Sequence, residues 1–255
     1  MTHRKLVIWA WRVFVEGSLV VLTLLLFVPA IGFAGITVDL TAMETAACGP
    51  GSAGICIPAS SDWGYRIDFQ PDDTIDVYTV TDVYSYDAYN SADGWHTERN
   101  VIDNDNFFAS YTIDESCPLI FVEDKVWLEG EVSSLVSIAA ADNDLGDPDH
   151  SIILNHNITY ATSTAGLLAV AEDDVLVGLD VPEMMQLNGI FIAQSGRFGR
   201  NRYRASGLPT ECAGWSWHWF WGLWCSGGYS TLFSDKIQLD TLTINGTIVS
   251  NGRVG

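Results

Sequence analysis

Met185-Gln-Leu-Asn-Gly-Ile-Phe-Ile-Ala-Gln194 and Leu242-Thr-Ile-Asn-Gly-Thr-Ile-Val-Ser250 share one unit, apolar-Asn-Gly-x-apolar, and the reading of that unit decides the fold. Weaker forms stand at Leu128-Glu-Gly-Glu-Val132 and Leu154-Asn-His-Asn-Ile158. An isolated Asn-Gly step between β-branched residues is a hairpin turn. Repeated along a chain with no helical punctuation, it reads as the corner of a coil, with Gly in a left-handed conformation and small or Asn residues stacked. The expectation is therefore an all-β chain, a single-stranded parallel β-helix (β-solenoid), with an antiparallel β-sandwich as the alternative.

Working outward, strands of four to eight or so residues are expected at Leu119-Ile-Phe-Val122, Lys125–Val132, Leu135–Ala141, Ser151–Tyr160, Leu167–Ala171 and Asp174–Gly178. From Trp63 to Ser116 the chain is rich in Asp, Asn and Tyr, and short strands between polar turns are expected there. The organisation read from the sequence is a cytoplasmic stretch over 1–18, a transmembrane helix over 19–38, an Asp/Tyr-rich β region over 39–116 and a β-solenoid domain over 117–255 with a Trp-rich loop at 212–225.

The transmembrane expectation rests on a charge-free run from Leu19 to Val38. Twenty helical residues reach roughly 30 Å, the thickness of a hydrocarbon core. Arg4, Lys5 and Arg12 before it, with Asp39 and Glu44 after it, put the N-terminus inside and the remainder outside the cell. The alternative is a cleaved signal ending at Gly32-Phe33-Ala34 and a secreted product.

Glu16-Gly17-Ser18, the Leu/Val-rich run, Pro29 and then Gly32-Phe33-Ala34-Gly35-Ile36-Thr37-Val38-Asp39-Leu40 with Met43-Glu44 resemble the N-terminal anchor of the Tad-type (tight adherence) pilus-assembly proteins. That family continues into a Gln- and Ala-rich stalk, whereas this chain turns to Ala46-Ala47-Cys48-Gly49-Pro50-Gly51. The ordered blocks from Pro118 through Leu187-Asn-Gly-Ile-Phe-Ile to Leu242-Thr-Ile-Asn-Gly are similar to exported β-helical domains of PilX-like, pilus-associated bacterial proteins, with Asp142–His150 as an insertion. The two resemblances imply a structural or adhesive surface protein associated with a pilus or envelope assembly, and they supply no catalytic residues.

The formal net charge of −20, with 32 acids against 12 bases, disfavours nucleic acid and anionic lipid. Five cysteines in an exported chain imply bridges, and spacing pairs Cys48 with Cys56 and Cys212 with Cys225, leaving Cys117. Asp142, Asp144, Asp147 and Asp149 surround a Gly turn with the oxygen donors that calcium takes, although the twelve-residue EF-hand pattern is missing; a solvated loop without cofactor is the simpler reading. In Trp215-Ser-Trp-His-Trp-Phe-Trp-Gly-Leu-Trp224, period two sets Trp215, Trp217, Trp219 and Trp221 on one strand face. Such a face suits a platform for sugar rings or a membrane interface, or else a disulfide-closed flap packed on the flank. Arg197, Arg200, Arg202 and Arg204 suit the chain's own carboxylates, a neighbouring subunit or a polyanion.

No nucleophile elbow, zinc-protease motif or phosphate loop occurs, so a non-enzymatic, membrane-anchored surface protein in pilus or envelope assembly and adhesion is the expectation. The alternative is a polysaccharide-binding or polysaccharide-degrading protein. A hydrolase would show carboxylates converging in a cleft with room for a sugar, which linear spacing hides.

Overall fold

The computed structural model describes residues 38–142, 149–218 and 222–252. The expected transmembrane helix over 19–38 lies, except for Val38, outside the described residues. Among the described residues no helix is long and apolar enough to cross a membrane. Among the described residues one α-helix, α1 (Leu40–Cys48), precedes strands β1 (Ile55–Ile57), β2 (Tyr65–Phe69), β3 (Thr74–Asn90), β4 (Gly94–Thr112), β5 (Leu119–Val122), β6 (Val126–Val132), β7 (Leu135–Ala140), β8 (Ile152–Tyr160) and β9 (Gly166–Ala171). There follow β10 (Val175–Val177), β11 (Met184–Ala193), β12 (Phe198–Gly199), β13 (Arg202–Tyr203), β14 (Thr210–Cys212), β15 (Trp215–His218), β16 (Gly222–Cys225), β17 (Tyr229–Thr231) and β18 (Thr241–Ser250).

The all-β expectation holds; the parallel β-helix does not. Fourteen strands form one mixed sheet in which β1-β5-β7-β9-β11-β8-β6-β2-β3-β13 are successive neighbours. Parallel pairs run through β5, β7, β9 and β11 and through β2, β6 and β8. The other part of the sheet is antiparallel: β2 with β3, β3 with β4 and β13 with β3. The stretch read as several short strands forms two strands of 17 and 19 residues, whose Asp and Asn residues sit within the ladder instead of ending it. Register shifts at Val77/Tyr78, Val80/Asp82, Asp82/Val83 and Tyr84/Tyr86 let so long a hairpin twist without breaking. The antiparallel sandwich is excluded equally, by the parallel pairs.

In-register stacking builds the core. Ile120, Ile138, Ala169 and Phe191 follow one another across β5, β7, β9 and β11, while Val126, Ile152, Val175 and Phe198 do so across β6, β8, β10 and β12. All eight belong to one buried cluster, and Phe191 meets Phe198 at 6.1 Å between ring centroids. Each Val, Ile or Phe among them stabilises by about 1.5–3 kcal/mol on burial. Helix α1 was not expected from the sequence. Asp39 caps it by accepting from the Ala42 N–H (3.0 Å), and Leu40 and Ala47 pack with Phe121, Ala139, Val170 and Ile192 on the outer side of the ladder. The bridge Cys48–Cys56, with Cα atoms 5.0 Å apart, ties its end to β1.

The Asn-Gly units lie within strands, not at corners. β11 and β18 pair in parallel over ten residues, Asn188 opposite Asn245 and Gly189 opposite Gly246. Asn245 Nδ2 donates to Asn188 Oδ1 (2.9 Å), so the Asn stack is real. A Cβ on Gly246 would meet the Gly189 carbonyl oxygen at 1.7 Å, which no rotamer relieves. Gly246→Ala should therefore lift β18 from β11, with hydrogen exchange of the 241–250 amides accelerated and stability lowered by about 1–3 kcal/mol. Unchanged exchange there would refute this pairing.

Candidate functional site

Lys125, Ser151, Asp174 and Arg197 each stand one residue ahead of a strand in the ladder β6-β8-β10-β12. The backbone makes a column of them: the Val126 N–H donates to Ser151 O (3.0 Å), the Ile152 N–H to Asp174 O (2.9 Å) and the Val175 N–H to Arg197 O (3.0 Å). Strand spacing sets successive members about 4.8 Å apart. Facing this column are His96 to Asn100 from the start of β4, and Asn90 and Asp93 from the β3–β4 turn. Between the two lies a cleft of about 420 Å³. Ile153 and Leu176 give it an apolar floor, and Trp63, 41% exposed, stands at its edge with the Arg99 guanidinium 5.6 Å from its ring centre.

The described lining brings six carboxylates together, Asp62, Asp93, Glu98, Asp124, Asp149 and Asp174, against three cations, Arg99, Lys125 and Arg197. Five of the six have protein partners. Glu98, buried, accepts from the Tyr86 hydroxyl (3.0 Å), Asn100 Nδ2 (2.9 Å), the Tyr203 hydroxyl (3.4 Å) and Asn201 Nδ2. Asp124 accepts from the Ser60 N–H (2.8 Å) and hydroxyl (2.6 Å) and from the Lys125 N–H (2.8 Å). Asp149 pairs with Lys125 Nζ, Asp174 accepts from the Arg197 N–H (2.7 Å) and Asp93 from Asn90 Nδ2 (2.9 Å). Burial pushes the Asp174 carboxyl up, against the hydrogen bond and charge of Arg197 and with help from the charges of Asp149 and Asp173. Burial, then the charge of Glu98, holds the Tyr86 and Tyr203 hydroxyls well above their usual range.

The sequence reading passed over this site. Its signal was Val122-Glu-Asp-Lys-Val126 and Ala171-Glu-Asp-Asp-Val175, two acidic steps between apolar strands, but only the register shows that they open onto one cleft.

The residues singled out from the sequence are scattered. Arg197 belongs to the cleft. Arg200 is spent on backbone carbonyls, those of Gly178 (3.2 Å), Leu179 (3.1 Å), Lys236 (2.6 Å) and Ile237 (3.1 Å), and burial lowers its pKa. Arg204 pairs with Asp87 and lies 4.1 Å from the Trp95 ring centre, while Arg202 is exposed on β13. Of the acidic tetrad, Asp144 and Asp147 lie outside the described residues; the Asp142 N–H donates to Glu172 Oε2 (3.1 Å), and Asp149 faces Lys125. Among the described residues, one trio of His, Cys or carboxylate groups comes within metal-ligand reach, Cys48, Cys56 and Glu123, and its thiols form a disulfide. Cys212 and Cys225 are bridged with Cα atoms 5.7 Å apart, and Cys117 is free, as the spacing implied. Trp215 and Trp217 lie on β15; Trp219 and Trp221 lie outside the described residues.

Comparison with protein-family models, curated proteins and solved structures returns no match to this chain, and none identifies a Tad-type or PilX-like domain.

Proposed function

We propose that the chain is a non-enzymatic, exported surface protein that binds a neutral, hydroxyl-rich glycan in this cleft. The observation that carries the reading is the combination of carboxylate acceptors already held by protein donors with an apolar floor and an edge Trp. A sugar presents hydroxyl donors along its rim and C–H groups on its face, which match oriented carboxylates, Trp63 and the Ile153–Leu176 floor. Six carboxylates against three cations disfavour an anionic polymer. Membrane anchoring at 19–38 rests on the charge-free run and its flanking charges, association with a pilus or envelope assembly rests on the sequence resemblances, and adhesion is the role in which anchor and glycan site act together.

Trp63→Ala should weaken binding of neutral oligosaccharides by about 10- to 30-fold, roughly 1.4–2 kcal/mol, in calorimetric titration. An unchanged affinity would remove the cleft from the reading.

Polysaccharide cleavage is the second reading, favoured by the raised Asp174 carboxyl beside Asp149. Asp174→Asn separates the two. A carboxyl whose folded pKa is raised holds its proton better in the fold, so its contribution is present below the unfolded value and lost as pH rises through the folded one. The Asn variant should thus be more stable than the parent at pH 7, with the gain vanishing near pH 3, while glycan affinity falls. Release of reducing ends by the parent and not by the variant would establish cleavage instead.

A further inference from the structure

We propose that Lys125 and Asn100 become joined, side chain to side chain, by an amide bond that the folded chain forms on itself, with Glu98 carrying the proton. Glu98 and Asn100 stand two residues apart on β4, so both side chains leave the same face of the strand. That face meets the ladder where Lys125 stands one residue ahead of β6. There Lys125 Nζ donates to Asn100 Oδ1 (3.2 Å), and Asn100 Nδ2 donates to Glu98 Oε1 (2.9 Å). An amine, a carboxamide and a carboxylate thus follow one another in hydrogen-bond contact. Lys125, Asn100 and Glu98 are all buried, at 9%, 5% and 6% exposure, and a lysine is almost never taken so far from water without a partner.

The surroundings hold these groups still. Trp127 Nε1–H donates to the Asn100 carbonyl oxygen (2.7 Å), and the Trp127 ring, closed to solvent, has its centre 5.6 Å from Lys125 Nζ. Glu98 is fixed in turn by the Tyr86 hydroxyl (3.0 Å) and Asn201 Nδ2. Reaction between held groups asks for about 3–3.5 Å between the reacting atoms. A nitrogen 3.2 Å from the carbonyl oxygen is a small turn of the lysine stem from that distance to the carbon. Asp149, paired with Lys125 Nζ and 49% exposed at its side chain, takes one proton from the ammonium and passes it to water. The freed lone pair forms the Nζ–Cγ bond. Glu98 takes a proton from Nζ, now on the same carbon as Nδ2, and delivers it to Nδ2; the Cγ–Nδ2 bond breaks and ammonia leaves through the cleft. Nothing is oxidised or reduced, and Glu98 ends as it began. Exchanging a buried ammonium for a neutral amide removes the cost of keeping that charge from water, which favours the product. The bond ties the long hairpin to the ladder at the polar wall of the cleft, and it is independent of what the cleft binds.

The test is mass analysis of the full parent chain, purified folded and then denatured and reduced. Its mass should fall short of the sequence by one ammonia, and digestion after glutamate, at Glu98, Glu115, Glu123 and Glu129, should release 99–115 joined to 124–129. The joined pair locates the loss, because a cyclised Asn-Gly step such as Asn245-Gly246 also sheds ammonia but links nothing. Lys125→Arg keeps a cation beside Asp149 and removes the attacking amine. Glu98→Gln keeps an acceptor for Asn100 and cannot carry the proton. Both variants should give the two peptides unlinked, the first of them beginning at 45 in the Gln variant, where the cut at 98 is lost. Separate peptides from the parent would overturn the proposal, as would 124–129 joined to the Asp149 peptide with loss of one water. A link that persists in Glu98→Gln would overturn the role given to Glu98.

Discussion

Glu98→Ala should destabilise the fold by about 3–6 kcal/mol, because four donors lose their acceptor in a site that water does not reach freely. Tyr86, Tyr203, Asn100 and Asn201 all converge on this one carboxylate, from β3, β4 and the β12–β13 segment. Against a typical total of about 5–15 kcal/mol, the Ala variant should be largely unfolded at 37 °C. Glu98→Gln keeps one acceptor but turns an amide N–H toward Asn201 Nδ2, so its cost should be about 1–3 kcal/mol. The same cluster predicts alkaline behaviour. A tyrosine with a raised folded pKa contributes stability below the unfolded value near 10 and loses it as pH rises toward the folded one. With Tyr86 and Tyr203 both raised, stability should fall as pH rises above 10 on their account, and Tyr86→Phe should remove about half of that loss. Denaturant titrations from pH 9 to 11.5 measure it; an identical slope in the Phe variant would show that Tyr86 ionises freely.

Much of the strand inventory after residue 118 was legible because those segments are short, apolar and bounded by turn residues. The Asn-Gly repeat pointed to stacked small or Asn residues, which Asn188 and Asn245 form within strands and not at the corner expected, and local spacing gave both disulfides. The long hairpin was not legible, since Tyr84-Ser-Tyr-Asp-Ala-Tyr89 and Asn100-Val-Ile-Asp-Asn-Asp105 carry residues that ordinarily end strands. They are tolerated because Tyr86, Ala88 and Val101 bury against Leu179, Tyr203 and Leu208, a tertiary contact that no window of sequence contains. That unforeseen hairpin makes the sheet mixed, and it supplies the second wall of the cleft, so missing the one meant missing the other. Asp149 was read as part of an acidic loop and Asp124 and Asp174 were not singled out, because their convergence is a property of parallel register alone.

Trp127→Ala should cost about 3–5 kcal/mol, the range for removing a fully buried large aromatic side chain. Its ring is inaccessible to solvent and packs with Val80, Ile153 and Leu176, which joins the long hairpin to the ladder β6-β8-β10. Its Nε1–H donates to the Asn100 carbonyl oxygen at 2.7 Å, and Asn100 in turn holds Glu98 through Nδ2 and receives Lys125 Nζ at Oδ1 (3.2 Å). One side chain therefore sits beneath the cleft floor and fixes its polar wall. Trp127→Phe distinguishes the two roles: the aromatic body still fills most of the volume, while the Asn100 carbonyl loses its donor. Stability should fall by only about 1–3 kcal/mol in that variant, yet glycan affinity should fall along with it, because Asn100, Glu98 and Lys125 are no longer held in place. If Trp127→Phe lowers stability as predicted and leaves binding untouched, the wall is rigid without the indole bond, and Glu98 with its four donors suffices to hold it.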